Sequence, residues 1–145
     1  MRLINSKTTI NKLLYLRISV GVVYVWFGLL KFFPQLSPAE NLAVNTIDML
    51  TFGMLSPTIS INILAIWEVA VGVFLIFNLM IRQTIIAALI HMICTFTPLI
   101  IFPGISFSEP PFAFTLVGQY IMKNIIIVGV LLLLLPEKKD AKIKS

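Results

Sequence analysis

Glu68, His91 and Lys123 each stand inside long apolar stretches of this sequence. An ionisable side chain there faces other helices or enclosed water and needs a partner. Such groups hydrogen-bond polar ligands and pass protons when burial perturbs their ionisation. Glu68 is the only charge in SINILAIWEVAVGVFLIFNLM, residues 60–80. The phenols of Tyr24 and Tyr120 and the amides of Gln119 and Asn124 lie on the same kind of stripe. Glu68, Lys123, His91, Tyr24, Tyr120, Asn124 and Gln119 therefore make up a candidate binding or proton site.

Helical rise sets their depths. At about 1.5 Å per residue, Glu68 and Lys123 each lie roughly 12 Å in from the same side, and His91 nearer the middle. Opposite charges at matching depth predict a Glu68–Lys123 pair, which either serves a ligand or only fixes helix register. Arg17 and Lys31 lie close enough to the span ends to snorkel, and read as interfacial anchors. Arg17, Gly21, Tyr24, Gly28 and Lys31 share one helix face by four-three spacing, and glycines there let a second helix approach closely. A bis-histidine haem needs two histidines and the sequence has one. No zinc spacing, phosphate loop or nucleophile triad appears, so no metal is expected and no cofactor is evident. Cys94 is alone, which leaves no intrachain disulfide and no CxxC pair.

The elements that must position these residues follow from composition. Of 145 residues, 59% are hydrophobic and 12% charged, about half the charge of an ordinary soluble domain. This is an integral membrane protein in contact with the lipid bilayer, expected as one domain over residues 1–145. Apolar runs predict an all-α bundle of four transmembrane helices at about 13–33, 60–80, 84–102 and 115–135. The first is too long for a cleaved signal segment, and no A-x-A-like site follows it. Between the first two spans, residues 38–53 predict a short amphipathic surface helix, opened by a capping box at Ser37-Pro38-Ala39-Glu40 and ended near Gly53. Pro98 is expected to kink the third span. The net charge of +5 sits mainly at chain and span ends, a pattern that suits lipid and topology and excludes a nucleic-acid surface. Lys and Arg crowd the N-terminus, the Arg82 turn and the C-terminal tail and are missing from both long loops, so both termini are expected in the cytoplasm.

The sequence resembles the DoxX-like family of small bacterial four-helix membrane proteins. The likeness is clearest in LRISVGVVYVWFGLLKFFPQLSPAENLAVNTIDMLTFG, in AIWEVAVGVFLIF, and in HMICTFTPLIIFP followed by FTLVGQYIMKNIIIV. Arg17, Gly28, Lys31, Glu68 and Gly72 look like the family's recurring features, and His91, Lys123 and Asn124 are similar to those of the broader group. The resemblance implies a multi-pass protein of the bacterial inner membrane. The family name is tied to a small subunit of thiosulfate:quinone oxidoreductase, which implies an accessory or anchoring subunit, an oxidoreductase partner and a quinone. No redox centre of the chain's own is evident, so it is not expected to be an enzyme in isolation. Two other readings stand beside this one: a proton-coupled or small-solute carrier, as a homo-oligomer, and a structural scaffold.

Overall fold

The computed structural model describes residues 6–33, 36–37 and 40–136. Four helices are long and apolar enough to span a membrane: Ile10–Leu30 within α1 (Ser6–Leu30), α3 (Pro57–Phe77), Ile81–Ile101, and α7 (Leu116–Leu134). At most 39% of any of these spans is buried within the protein, so most of each apolar surface faces outward into lipid. Trp26, Ile63, Ile90 and Ile126 are among the large side chains on those outer faces. The helices form a ring in which α1 packs on α3, α3 on α4 (Ile81–Phe96), α4 on α7, and α7 back on α1. Val20, Tyr24, Val71, Leu75, Ile85, Ala88, Met92 and Leu131 fill its centre.

The α1–α3 contact is made backbone to backbone. A Cβ at Gly21 would lie 2.9 Å from the carbonyl oxygen of Gly72, and one at Gly72 would lie 2.7 Å from the amide nitrogen of Val25. One at Gly28 would meet the Val69 amide nitrogen at 2.9 Å and Glu68 Cβ at 3.0 Å. Small residues permit this approach where lipid supplies no hydrophobic drive between helices. Pro57 opens α3 at its first position, where a missing N–H costs nothing, and left-handed Asn78 closes it. Arg17 Nη1 donates to the Leu75 carbonyl at 2.7 Å, placing a cation at the negative end of α3.

At Pro98 the third span keeps helical backbone, with Thr97 right-handed helical, but its regular hydrogen bonding is interrupted. α4 stops at Phe96, and a short α5 (Pro98–Ile101) restarts after Thr97. Proline supplies no N–H to the Cys94 carbonyl, which instead accepts the Thr97 hydroxyl at 2.7 Å and its amide at 3.2 Å. The break is thereby satisfied without water, as apolar surroundings require.

α2 (Glu40–Leu50) is the short helix between the first two spans. It buries Leu42 and Thr46 and packs on α3 and α5. Left-handed Gly53 ends its last turn, with its amide bonded to the Asp48 carbonyl at 2.8 Å. Pro38 and Ala39 of the expected capping box, and the charged tail from 137, lie outside the described residues. After α5, the short helix α6 (Pro103–Ser106) and a hairpin of β1 (Phe107–Glu109) and β2 (Ala113–Phe114) lead into α7. Fully buried Ser106 clamps this loop. Its hydroxyl donates to the Pro98 carbonyl at 3.1 Å, and its own carbonyl accepts the Thr115 amide at 3.0 Å. Thr115 caps α7 by accepting the Gly118 amide at 3.1 Å.

Candidate functional site

The close α1–α3 contact dictates the first pair of the site. Gly28 rests against Glu68, and Lys31 follows it by three residues. Helical side chains lean toward the N-terminus, so the Lys31 stem reaches back over that contact. Its Nζ lies 2.5 Å from Glu68 Oε2, and both side chains are only 10% exposed. Lys31 also donates to the Phe27 carbonyl at 3.3 Å.

The chain of polar groups continues from Glu68. Its other oxygen, Oε1, lies 3.5 Å from His91 Nε2. On the far side of the imidazole, Nδ1 lies 3.3 Å from the Tyr24 hydroxyl, which also donates to the Ala88 carbonyl at 3.3 Å. The Tyr24 ring is tilted 59° against the imidazole with centroids 5.7 Å apart, so packing as well as hydrogen bonding fixes the pair. Lys31, Glu68, His91 and Tyr24 thus form one connected row across α1, α3 and α4.

This row lines a cavity of about 450 Å³. Ligand sites of this kind have largely apolar walls with a few placed polar groups. Here Phe27 of α1, Leu42, Ile47 and Leu50 of α2, and Ile121 and Ile127 of α7 supply apolar wall. α7 adds Tyr120, Lys123 and Asn124. Asn124 Nδ2 donates to Thr95 Oγ1 at 3.2 Å, and Thr95 passes the bond to the Met92 carbonyl at 2.7 Å. The Lys123 ammonium sits 5.1 Å from the centre of the Tyr120 ring, a cation–π distance.

The expected Glu68–Lys123 pair is not formed. Lys31 holds the carboxylate, while Lys123 lines the cavity from α7, which packs chiefly on α4. Among the described residues no carboxylate lies within ion-pair distance of Lys123. Lys31 is correspondingly more than an interfacial anchor. Depth counted along single helices missed it, because a lysine bends back by most of a helical turn. Six of the seven cluster residues, Glu68, Lys123, His91, Tyr24, Tyr120 and Asn124, line the one cavity. Gln119 does not: it is exposed and reaches the Phe114 carbonyl at 3.5 Å. Arg17 works at the opposite end of α3, and Gly28 and Gly72 act through the helix contact. The α2 wall was absent from the sequence-based site, although the apolar face of that helix was the signal that it covers something.

No curated protein and no solved structure gives a significant match to this chain. Residues 12–104, well over half of the sequence and including most of α1 and all of α2 through α5, match the family described as DoxX, and the chain belongs to the DoxX family of multi-pass membrane proteins.

Proposed function

We propose that the chain is an accessory or anchoring subunit of a membrane oxidoreductase, and that its cavity takes the headgroup of a quinone. One observation carries this reading: a largely apolar cavity with Lys31, Glu68, His91 and Tyr24 connected in a row along its wall. Quinone carbonyls accept hydrogen bonds, which lysine, tyrosine and a suitably protonated imidazole supply. The apolar walls contributed by α2 and α7 suit a prenylated ring that arrives from the lipid. In this reading the protein sits in the bacterial inner membrane with both termini in the cytoplasm, so the cavity belongs to the outer half of the bundle. Quinone added to the detergent-solubilised protein should raise its melting temperature, by about 2.7 kcal/mol of stabilisation at a hundredfold excess over Kd. A mild-detergent pull-down from native membranes should bring a flavin, haem or copper oxidoreductase with it. A flat melting curve under saturating quinone would overturn the ligand, and a clean homo-oligomer would overturn the partner.

A second reading is favoured by Lys123. It is an exposed lysine that lines the cavity, with no carboxylate within ion-pair distance among the described residues, while Lys31 and Glu68 neutralise each other. The cavity wall therefore carries one uncompensated positive charge, suited to a small anion carried with a proton. Flux of an anion into liposomes, abolished in Lys123→Gln, would support a carrier. Equal leakage from both variants would exclude it.

A further inference from the structure

The hydrogen-bonding capacity of the polar row constrains where its protons can sit. Tyr24 has one hydroxyl proton and two acceptors at the same distance, the Ala88 carbonyl and His91 Nδ1, each at 3.3 Å. When the hydroxyl donates to Ala88, its oxygen is left to accept from His91, and Nδ1 must carry a proton. A neutral imidazole would then present a bare Nε2 lone pair to Glu68 Oε1, 3.5 Å away. Two groups that only accept cannot bond, so that arrangement needs an additional proton between nitrogen and carboxylate. When the hydroxyl turns to Nδ1 instead, the imidazole proton sits on Nε2 and points at the carboxylate, and no additional proton is needed. The hydrogen-bonding pattern of either state fits the one set of heavy-atom positions.

We propose that Glu68, His91 and Tyr24 form a proton-binding site, in which one proton enters at His91, one is shared between imidazole and carboxyl, and the Tyr24 hydroxyl turns to Ala88. Lys31, Glu68 and His91 then pass from zero to one net positive charge. Lys31 contributes donors to Glu68 Oε2 in either state, which leaves Oε1 for the exchange. The other titratable groups on the cavity wall are Cys94 of α4 and Tyr120 and Lys123 of α7, and the α2 residues there have none. For its use this site rests on the ligand reading above: a quinone in the same cavity takes a proton from it when the partner oxidoreductase supplies electrons, and a quinol leaves one there when the partner accepts them.

The chain's single histidine makes the test direct. Protein labelled with 15N-histidine, in lipid nanodiscs, gives one pair of imidazole nitrogen signals, and protonated and bare nitrogens are well separated. As the pH is lowered, wild type should change from bare to protonated Nδ1. Glu68→Gln should stay Nδ1-protonated throughout. Lys31 has only donors, so the amide oxygen turns to it and the amide N–H caps Nε2. Tyr24→Phe should stay Nε2-protonated, because Nδ1–H has lost its acceptor. One unchanging tautomer in wild type overturns the proposal, as does an unaltered transition in both variants. In wild type, no transition while quinone stabilisation is intact overturns the proton site alone. An intact transition without quinone stabilisation overturns only the ligand.

Discussion

Replacing Lys31 by Met should destabilise the protein far more in the presence of Glu68 than in its absence. Two unit charges at the observed 2.5 Å attract by about 7 kcal/mol at an effective dielectric of about 20. Desolvation of both ions takes back a large part of this. What remains for the single replacement is a buried carboxylate without its main partner, a change that typically costs about 3–5 kcal/mol. His91 at 3.5 Å offers Glu68 a substitute, which puts the expected loss near the lower end, about 3 kcal/mol. The double variant Lys31→Met with Glu68→Met removes both charges and should recover most of that loss. Reversible unfolding in mixed micelles of Lys31→Met, Glu68→Met and the double variant gives the coupling energy directly. The same cycle run with Lys123→Met should show coupling below about 0.5 kcal/mol, the level of independent sites. Equal coupling of Glu68 to both lysines, or additivity at Lys31, would refute the assignment of the pair.

Gly72→Ala places a methyl 2.6 Å from the Gly21 carbonyl oxygen, against backbone that cannot rotate away, and should cost about 2 kcal/mol in the same unfolding assay. A cost below that of Gly129→Ala, whose Cβ would meet nothing within 4 Å, would count against the backbone contact. Gly118→Ala should likewise destabilise the entry to α7, because its methyl collides with the Ser106 carbonyl, and it should speed proteolysis of the hairpin between β1 and β2. Cys94 is exposed, lines the cavity and is the chain's single cysteine, so it reports occupancy. Quinone should slow its reaction with a thiol reagent at least severalfold; unchanged labelling at saturating quinone would show that the ligand lies elsewhere.

The spans were legible because twenty-residue apolar runs point to membrane helices, and the ends of the observed spans lie within three residues of the expected ones. Those shifts have local causes: Pro57 starts α3 before Ser60, and left-handed Asn78 stops it before Met80. The face carrying Gly21 and Gly28 was readable as a contact from its four-three spacing. Its partner was not, since which stripe meets which depends on the order of helices around the ring. That same missing information misdirected Glu68 to Lys123: depth alone cannot separate a lysine on the adjacent helix from one across the cavity. α2 was legible as an amphipathic surface helix, but nothing in the sequence showed that Leu42 and Ile47 line the cavity. The Ala88 carbonyl, which gives Tyr24 its second acceptor, carries no side-chain signal at all.

The glycine seam between α1 and α3 also divides the bundle mechanically. Where backbone touches backbone there is no rotamer to repack, so the two helices move as one stiff body with Lys31 and Glu68 locked across it. The remaining walls, α2, α4 and α7, meet that body through side chains. A guest of changing size is therefore accommodated by the compliant side, while the ion pair and the carboxylate facing His91 keep their registration. His91 and Tyr24 lie on opposite sides of this boundary, one on the compliant wall and one on the stiff one. The 3.3 Å contact between them is where the polar row crosses from one to the other.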